Sequence, residues 1–171
     1  MNSPYETLNE TEWAEVDRIH ALLEEDEVDD ARKALDELMR RRPSHPDLRV
    51  EDATLKLEEA EPQQALAALQ GAERSADPAR FFYLRAACYH ELSRFAEAEA
   101  DVQRSVAVHP GYAMAHDLLS RVRDHLGDPT GAAEASEAAK YSPSPIPTTS
   151  GLPLRAPTTV PGSPSYMTAM P

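Results

Sequence analysis

A short alanine recurs at Ala31, Ala65, Ala98 and Ala132, with separations of 34, 33 and 34 residues. A fixed period of this length marks a repeat array, in which each unit cannot bury its apolar face alone and must stack on a neighbour. Other positions keep the same phase. Ile19, Ala53, Ala86 and Ser120 lie twelve residues before each alanine, and Leu35, Leu69, Val102 and Ser136 lie four after it. Leu38, Ala72, Ser105 and Ala139 lie seven after, and Pro43, Pro78, Pro110 and Pro143 close the units. Offsets of four and seven put these residues on one helix face. Small residues let paired helices approach closely, and proline ends each second helix.

The pattern predicts two helices per unit, at about Thr11 to Glu25, Val28 to Arg42, Pro46 to Glu59, Pro62 to Ser75, Pro78 to Leu92, Phe95 to Val108, Tyr112 to Leu126 and Pro129 to Tyr141. Asp77-Pro78 and Asp128-Pro129 read as N-caps followed by a first-turn proline, Pro46 and Pro62 start helices in the same way, and Gly127 suits a left-handed C-terminal cap.

In the third unit Phe82-x2-Arg85-Ala86-x2-Tyr89, then Ala98-x3-Val102 and Pro110, resembles the signature of the tetratricopeptide (TPR) repeat, departing from it at Arg85 and Val102. The other units are more degenerate, and the fourth carries polar Ser120 and Arg123. The resemblance implies an all-α, right-handed solenoid of about four helix-turn-helix repeats, near residues 11-43, 46-78, 79-111 and 112-143. Its first helices would line a concave groove. Residues 1-10 are expected to be a flexible start. Residues 142-171 hold eight prolines and a single charge, Arg155, and are expected to be a disordered Pro/Ser/Thr-rich tail. A truncated linker and a shifted reading frame are alternative origins of that tail.

Charge narrows the partners. Met1 to Glu61 holds 19 acids against 8 bases, the remainder 11 against 9, and the chain totals −13. Such a surface repels phosphate backbones, so nucleic acid is an unsuitable partner and a basic or apolar protein segment a suitable one. One cysteine, Cys88, leaves no disulfide framework, and no stretch is apolar enough to span a membrane. With no basic start followed by an apolar run, a cytoplasmic protein is expected.

No catalytic or metal-binding constellation, and no cofactor, is predicted. His90-Glu91-Leu92-Ser93-Arg94 begins like a zinc-protease helix, but Arg94 stands where the second histidine must be. His90 and Glu91 then read as helix-surface residues. The run Glu24-Glu25-Asp26-Glu27-Val28-Asp29-Asp30 lacks the glycine and alternation of a calcium loop, and suits the N-terminus of the next helix, as Arg40, Arg41 and Arg42 suit its C-terminus. Among six histidines His116 and His125 lie nine residues apart on one helix, and two and a half turns point them apart. Cys88 reads as a small core residue.

The repeat phase places Trp13, Val16, His20 and Leu23, Val50, Thr54 and Leu57, Arg80, Tyr83 and Ala87, and Asp117 and Arg121 toward the groove, apolar in its first half and charged in its second. Trp13 fits an end-packing residue as well as a ligand contact, while Phe82 is expected to supply the core beside Tyr83. Chaperone-binding members of the family grip a carboxylate with a Lys/Asn/Arg clamp, of which only Arg80 has a match here. The expected function is a non-enzymatic adaptor that binds a partner peptide or segment in the groove. Two alternatives are a small acidic secretion-type TPR chaperone and the non-catalytic N-terminal half of a zincin-like metallopeptidase. The latter rests on the stretch from Trp13 to Ala53, which resembles repeats preceding such domains in some bacterial proteins.

Overall fold

The computed structural model describes residues 7–141, so the tail from 142 onward and the first six residues lie outside the described residues. Eight helices follow one another: α1 (Glu10–Glu24), α2 (Val28–Arg41), α3 (Pro46–Glu58), α4 (Pro62–Ala68), α5 (Pro78–Glu91), α6 (Phe95–Val108), α7 (Ala113–Leu126) and α8 (Pro129–Tyr141). They pair as four hairpins, and each hairpin packs on the next. Local chemistry sets their ends. Asn9 and Glu12 form a reciprocal capping box at α1, Asp77 accepts the Arg80 amide at 3.0 Å, and Asp128 accepts the Gly131 amide at 3.0 Å. Gly127 closes α7 at φ 78, a conformation that suits glycine.

The phase of the repeat is the phase of the core. Ala31, Ala65 and Ala98 are fully buried and Ala132 nearly so, and Leu35, Leu69 and Val102 sit one turn further along in the same interior. Ser105 is also fully buried, where its hydroxyl donates to the Ala79 carbonyl at 2.7 Å, so this polar residue satisfies itself across two helices. In the last unit Ala135 packs in the core and Ser136 is only half-buried. Arg85, the departure from the repeat signature, reaches Asp101 on α6 with Nε at 2.5 Å and Nη2 at 2.8 Å. Its guanidinium also lies 4.9 Å from the Phe81 ring centroid.

Helix α4 is shorter than the sequence suggests, ending at Ala68 rather than near Ser75. Gly71 takes φ +86, which an L side chain rarely adopts, and the following chain is held in another conformation. Asp47 accepts the Ser75 hydroxyl at 2.9 Å and the Ala76 amide at 2.7 Å, while Arg49 donates to the Gln70 carbonyl at 2.8 Å. These bonds replace the missing helical turns. Around α2 the acidic and basic ends fall as expected, with Asp29 and Asp30 in the first turn and Arg40 and Arg41 in the last.

Candidate binding groove

A cleft of about 900 Å³ runs along the faces of α1, α3, α5 and α7. Val50, Leu84 and Leu118 give it an apolar floor, and Trp13, Leu23, Leu57, Tyr83 and Ala87 also border it. Trp13 packs against the N-terminal core and also borders the cleft. Tyr83 stands edge-on to Tyr112 with ring centroids 5.3 Å apart, and burial raises the pKa of both phenols. Phe81, rather than Phe82, is the fully packed aromatic of that pair; Phe82 stays half-buried.

At the centre of the cleft three helices meet through charge. Glu51 on α3 is 3% exposed. Arg80 on α5 reaches its Oε1 with Nη1 at 2.5 Å and its Oε2 with Nη2 at 2.9 Å, and His20 on α1 donates from Nε2 to Oε2 at 2.5 Å. Arg80 Nη2 also donates to Thr54 Oγ1 at 3.1 Å, and that hydroxyl donates to the Val50 carbonyl at 3.0 Å. Burial alone would raise the Glu51 pKa, but the Arg80 charge and the His20 bond outweigh it and hold the carboxyl at about 2. The ion pair and its hydrogen bonds tie α1, α3 and α5 together beneath the groove.

The structure corrects several expectations about this surface. Val16 is fully buried in the cluster of Leu8, Ile19 and Leu35, so it belongs to the core. Asp117 projects outward, pairs with Arg121 at 3.2 Å, and does not border the cleft, although Arg121 does. Arg80 borders it, but its charge is committed to Glu51, which removes the one match to a carboxylate clamp. The second half of the groove is also not mainly charged: Tyr112, Met114, Val108 and Leu118 border it.

Glu91 is exposed as expected, whereas His90 is half-buried at the edge of the cleft. Its side chain is 14% exposed and packs at 5.8 Å from Phe95 and 5.4 Å from His125, whose ring stacks on Phe95 at 4.4 Å. His116 turns away and donates Nε2 to the Pro110 carbonyl at 2.8 Å. Cys88 is fully buried, and desolvation pushes its thiol up to about 12, which keeps it protonated and unreactive at neutral pH. Among the described residues no group of three or more His, Cys, Asp or Glu is placed to hold a metal. No helix of the described residues is long and apolar enough to cross a membrane.

The chain matches no family model and no curated protein. Its fold has solved counterparts. MamA from Desulfovibrio magneticus RS-1, residue 41 onward, superposes with a TM-score of 0.62 at 21% identity over 74% of this chain and 72% of that one. A double mutant of MamA RS-1 gives 0.61 at 20% identity over 74% and 71%, and a further MamA crystal structure 0.60 at 20% over 77% and 73%. MamA is a TPR protein. The fold of this chain is a TPR solenoid. The cleft lies along the first helix of each hairpin, α1, α3, α5 and α7. The resemblance of the first repeats to those preceding a zincin-like peptidase gains no support from these neighbours.

Proposed function

We propose that the chain is a non-enzymatic binding module that holds a segment of a partner protein in its concave groove. One observation carries this reading. The few large apolar side chains that stay exposed include Val108 at 50% and Met114 at 53%, and both border the same cleft as half-buried Leu23, Leu57 and Tyr83. Leu126 and Tyr141 are exposed outside the cleft, but Val108 and Met114 extend its apolar floor into one patch, which is what a protein-binding site needs. The polar chemistry of the cleft points the same way, because the Glu51 carboxylate is taken up by Arg80 and His20, and Cys88, outside the cleft lining, is protonated and enclosed. A general TPR scaffold role agrees with the fold of the neighbours, and a reduced buried thiol suits a cytoplasmic setting.

Site-specific photo-crosslinking tests the reading. A photoreactive side chain at Met114 or Leu57 should capture one partner, and the same group at exposed Gln103 on α6, a helix outside the groove wall, should not. Equal capture from Gln103, or none from either groove position in cells where Gln103 does capture a partner, would move the interface to another face.

A further inference from the structure

The groove carries a row of carboxylates that the fold does not require. Glu24, Glu58 and Glu91 share one repeat phase, with separations of 34 and 33 residues. Each is the last residue of its helix, α1, α3 and α5 in turn, and all three border the cleft. A carboxylate there faces the negative end of the helix dipole, which disfavours it. Glu24 and Glu58 have no ion-pair partner among the described residues, and Glu91 shares only one oxygen with adjacent His90 at 3.2 Å. The cations of the cleft give no relief, since Arg80 is bound to Glu51 and Arg121 to Asp117. A fixed negative rim therefore runs beside an apolar floor over three successive repeats.

We propose that the occupant is a partner segment in polyproline-II conformation that carries Lys or Arg at every third position and apolar residues between them. The inference rests on the groove being the binding site and adds the chemistry and register of what it binds. His20, Glu51 and Arg80 bring α1, α3 and α5 into side-chain contact, and helices in contact lie roughly 8–10 Å apart, so equivalent glutamates on these three helices repeat at on the order of 10 Å. Polyproline II rises about 3.1 Å per residue with three residues per turn, so every third side chain returns to one face about 9 Å further on. A β-strand of the same length would turn alternate cations away from the rim. The aromatic rings of Trp13, Tyr83 and Tyr112 suit proline and aliphatic side chains on the other faces. The chain's own residues 142–171 are proline-rich but hold a single cation, Arg155, and so lack the spacing.

The test uses the full chain and two fluorescent synthetic peptides of identical Pro, Leu and Lys content. One places lysine at every third position, and the other gathers the lysines at one end. Fluorescence anisotropy at low salt should show tighter binding of the spaced peptide. Each of E24Q, E58Q and E91Q should weaken it by roughly twofold to fivefold, and the triple variant should erase its advantage. All three positions are exposed and their charges oppose the helix dipoles, so thermal melts should not fall. Equal affinity for the two peptides, or no effect of the triple variant, overturns the register. If, instead, neither peptide responds to Leu57→Ala with Met114→Ala, the groove itself is not the site and the wider reading fails. Displacement of the spaced peptide by lower concentrations of a peptide spanning residues 142–171 would assign the groove to the chain's own tail and overturn the proposal.

Discussion

Arg80 and Glu51, 29 residues apart in sequence, close on each other through two hydrogen bonds of 2.5 and 2.9 Å beneath the groove. Breaking a buried pair from one side leaves the other charge uncompensated, which is costlier than never having the pair. Arg80 keeps a quarter of its side chain exposed, so the low end of that cost applies. Glu51→Gln should lower stability by about 2–3 kcal/mol, read as a fall in the urea midpoint. Replacing both partners with apolar residues, Glu51→Leu with Arg80→Met, should recover most of the loss. A double variant as unstable as the single one would show that the ion pair itself, rather than the orphaned charge, governs stability.

The same carboxylate predicts an acid limb. Glu51 ionises at about 2 in the folded chain against an ordinary 4.5. Its folded value is depressed, so the unfolded chain takes up the proton first. The contribution is fully present above about pH 5 and is lost as pH falls through 4.5 toward 2. It amounts to roughly 3 kcal/mol at neutral pH. Urea midpoints at pH 6, 4 and 2.5 should fall more steeply for the parent than for Glu51→Gln. Parallel curves would mean that Glu51 is not held ionised.

Ala98 has no exposed surface and sits among Ala86, Val102 and Ala115. Ala98→Leu adds volume where two helices and the next repeat converge, and should cost about 1–3 kcal/mol by overpacking. A melting temperature equal to that of the parent would mean that the interior gives way there without strain.

The alanine period was readable because close helix approach makes the same steric demand in every unit, and chain order converts that demand into spacing. Arg85 and Ser105 break the pattern and still fit, each through a partner on a neighbouring helix that no local window contains. Glu51 was not readable for a similar reason. Its repeat phase holds Asp17, Leu84 and Leu118 in the other units, and its partners lie 31 residues before it and 29 after. Val16 failed in the opposite way: the phase that carries Val50 and Tyr83 to the groove buries Val16 in the end unit, in one cluster with Leu8. Gly71 was the available signal for the early end of α4, outweighed by the alanines before it.

Tyr83 and Met114 both border the groove, but they should separate binding from folding in different ways. Tyr83 is packed against two core clusters and edge-on to Tyr112. Tyr83→Ala should therefore cost about 2 kcal/mol or more of stability along with affinity. Combining it with Leu57→Ala, which also packs against a core, confounds the two losses. Met114 is 53% exposed and belongs to no buried cluster, so Met114→Ala should leave stability within about 0.5 kcal/mol. A partner segment lying in the groove would still lose an apolar contact there, and its dissociation should quicken while the melting curve stays put. If Met114→Ala leaves both dissociation and melting unchanged while Tyr83→Ala alters both, the effect of Tyr83 is structural, and the partner lies toward the α1 and α3 end.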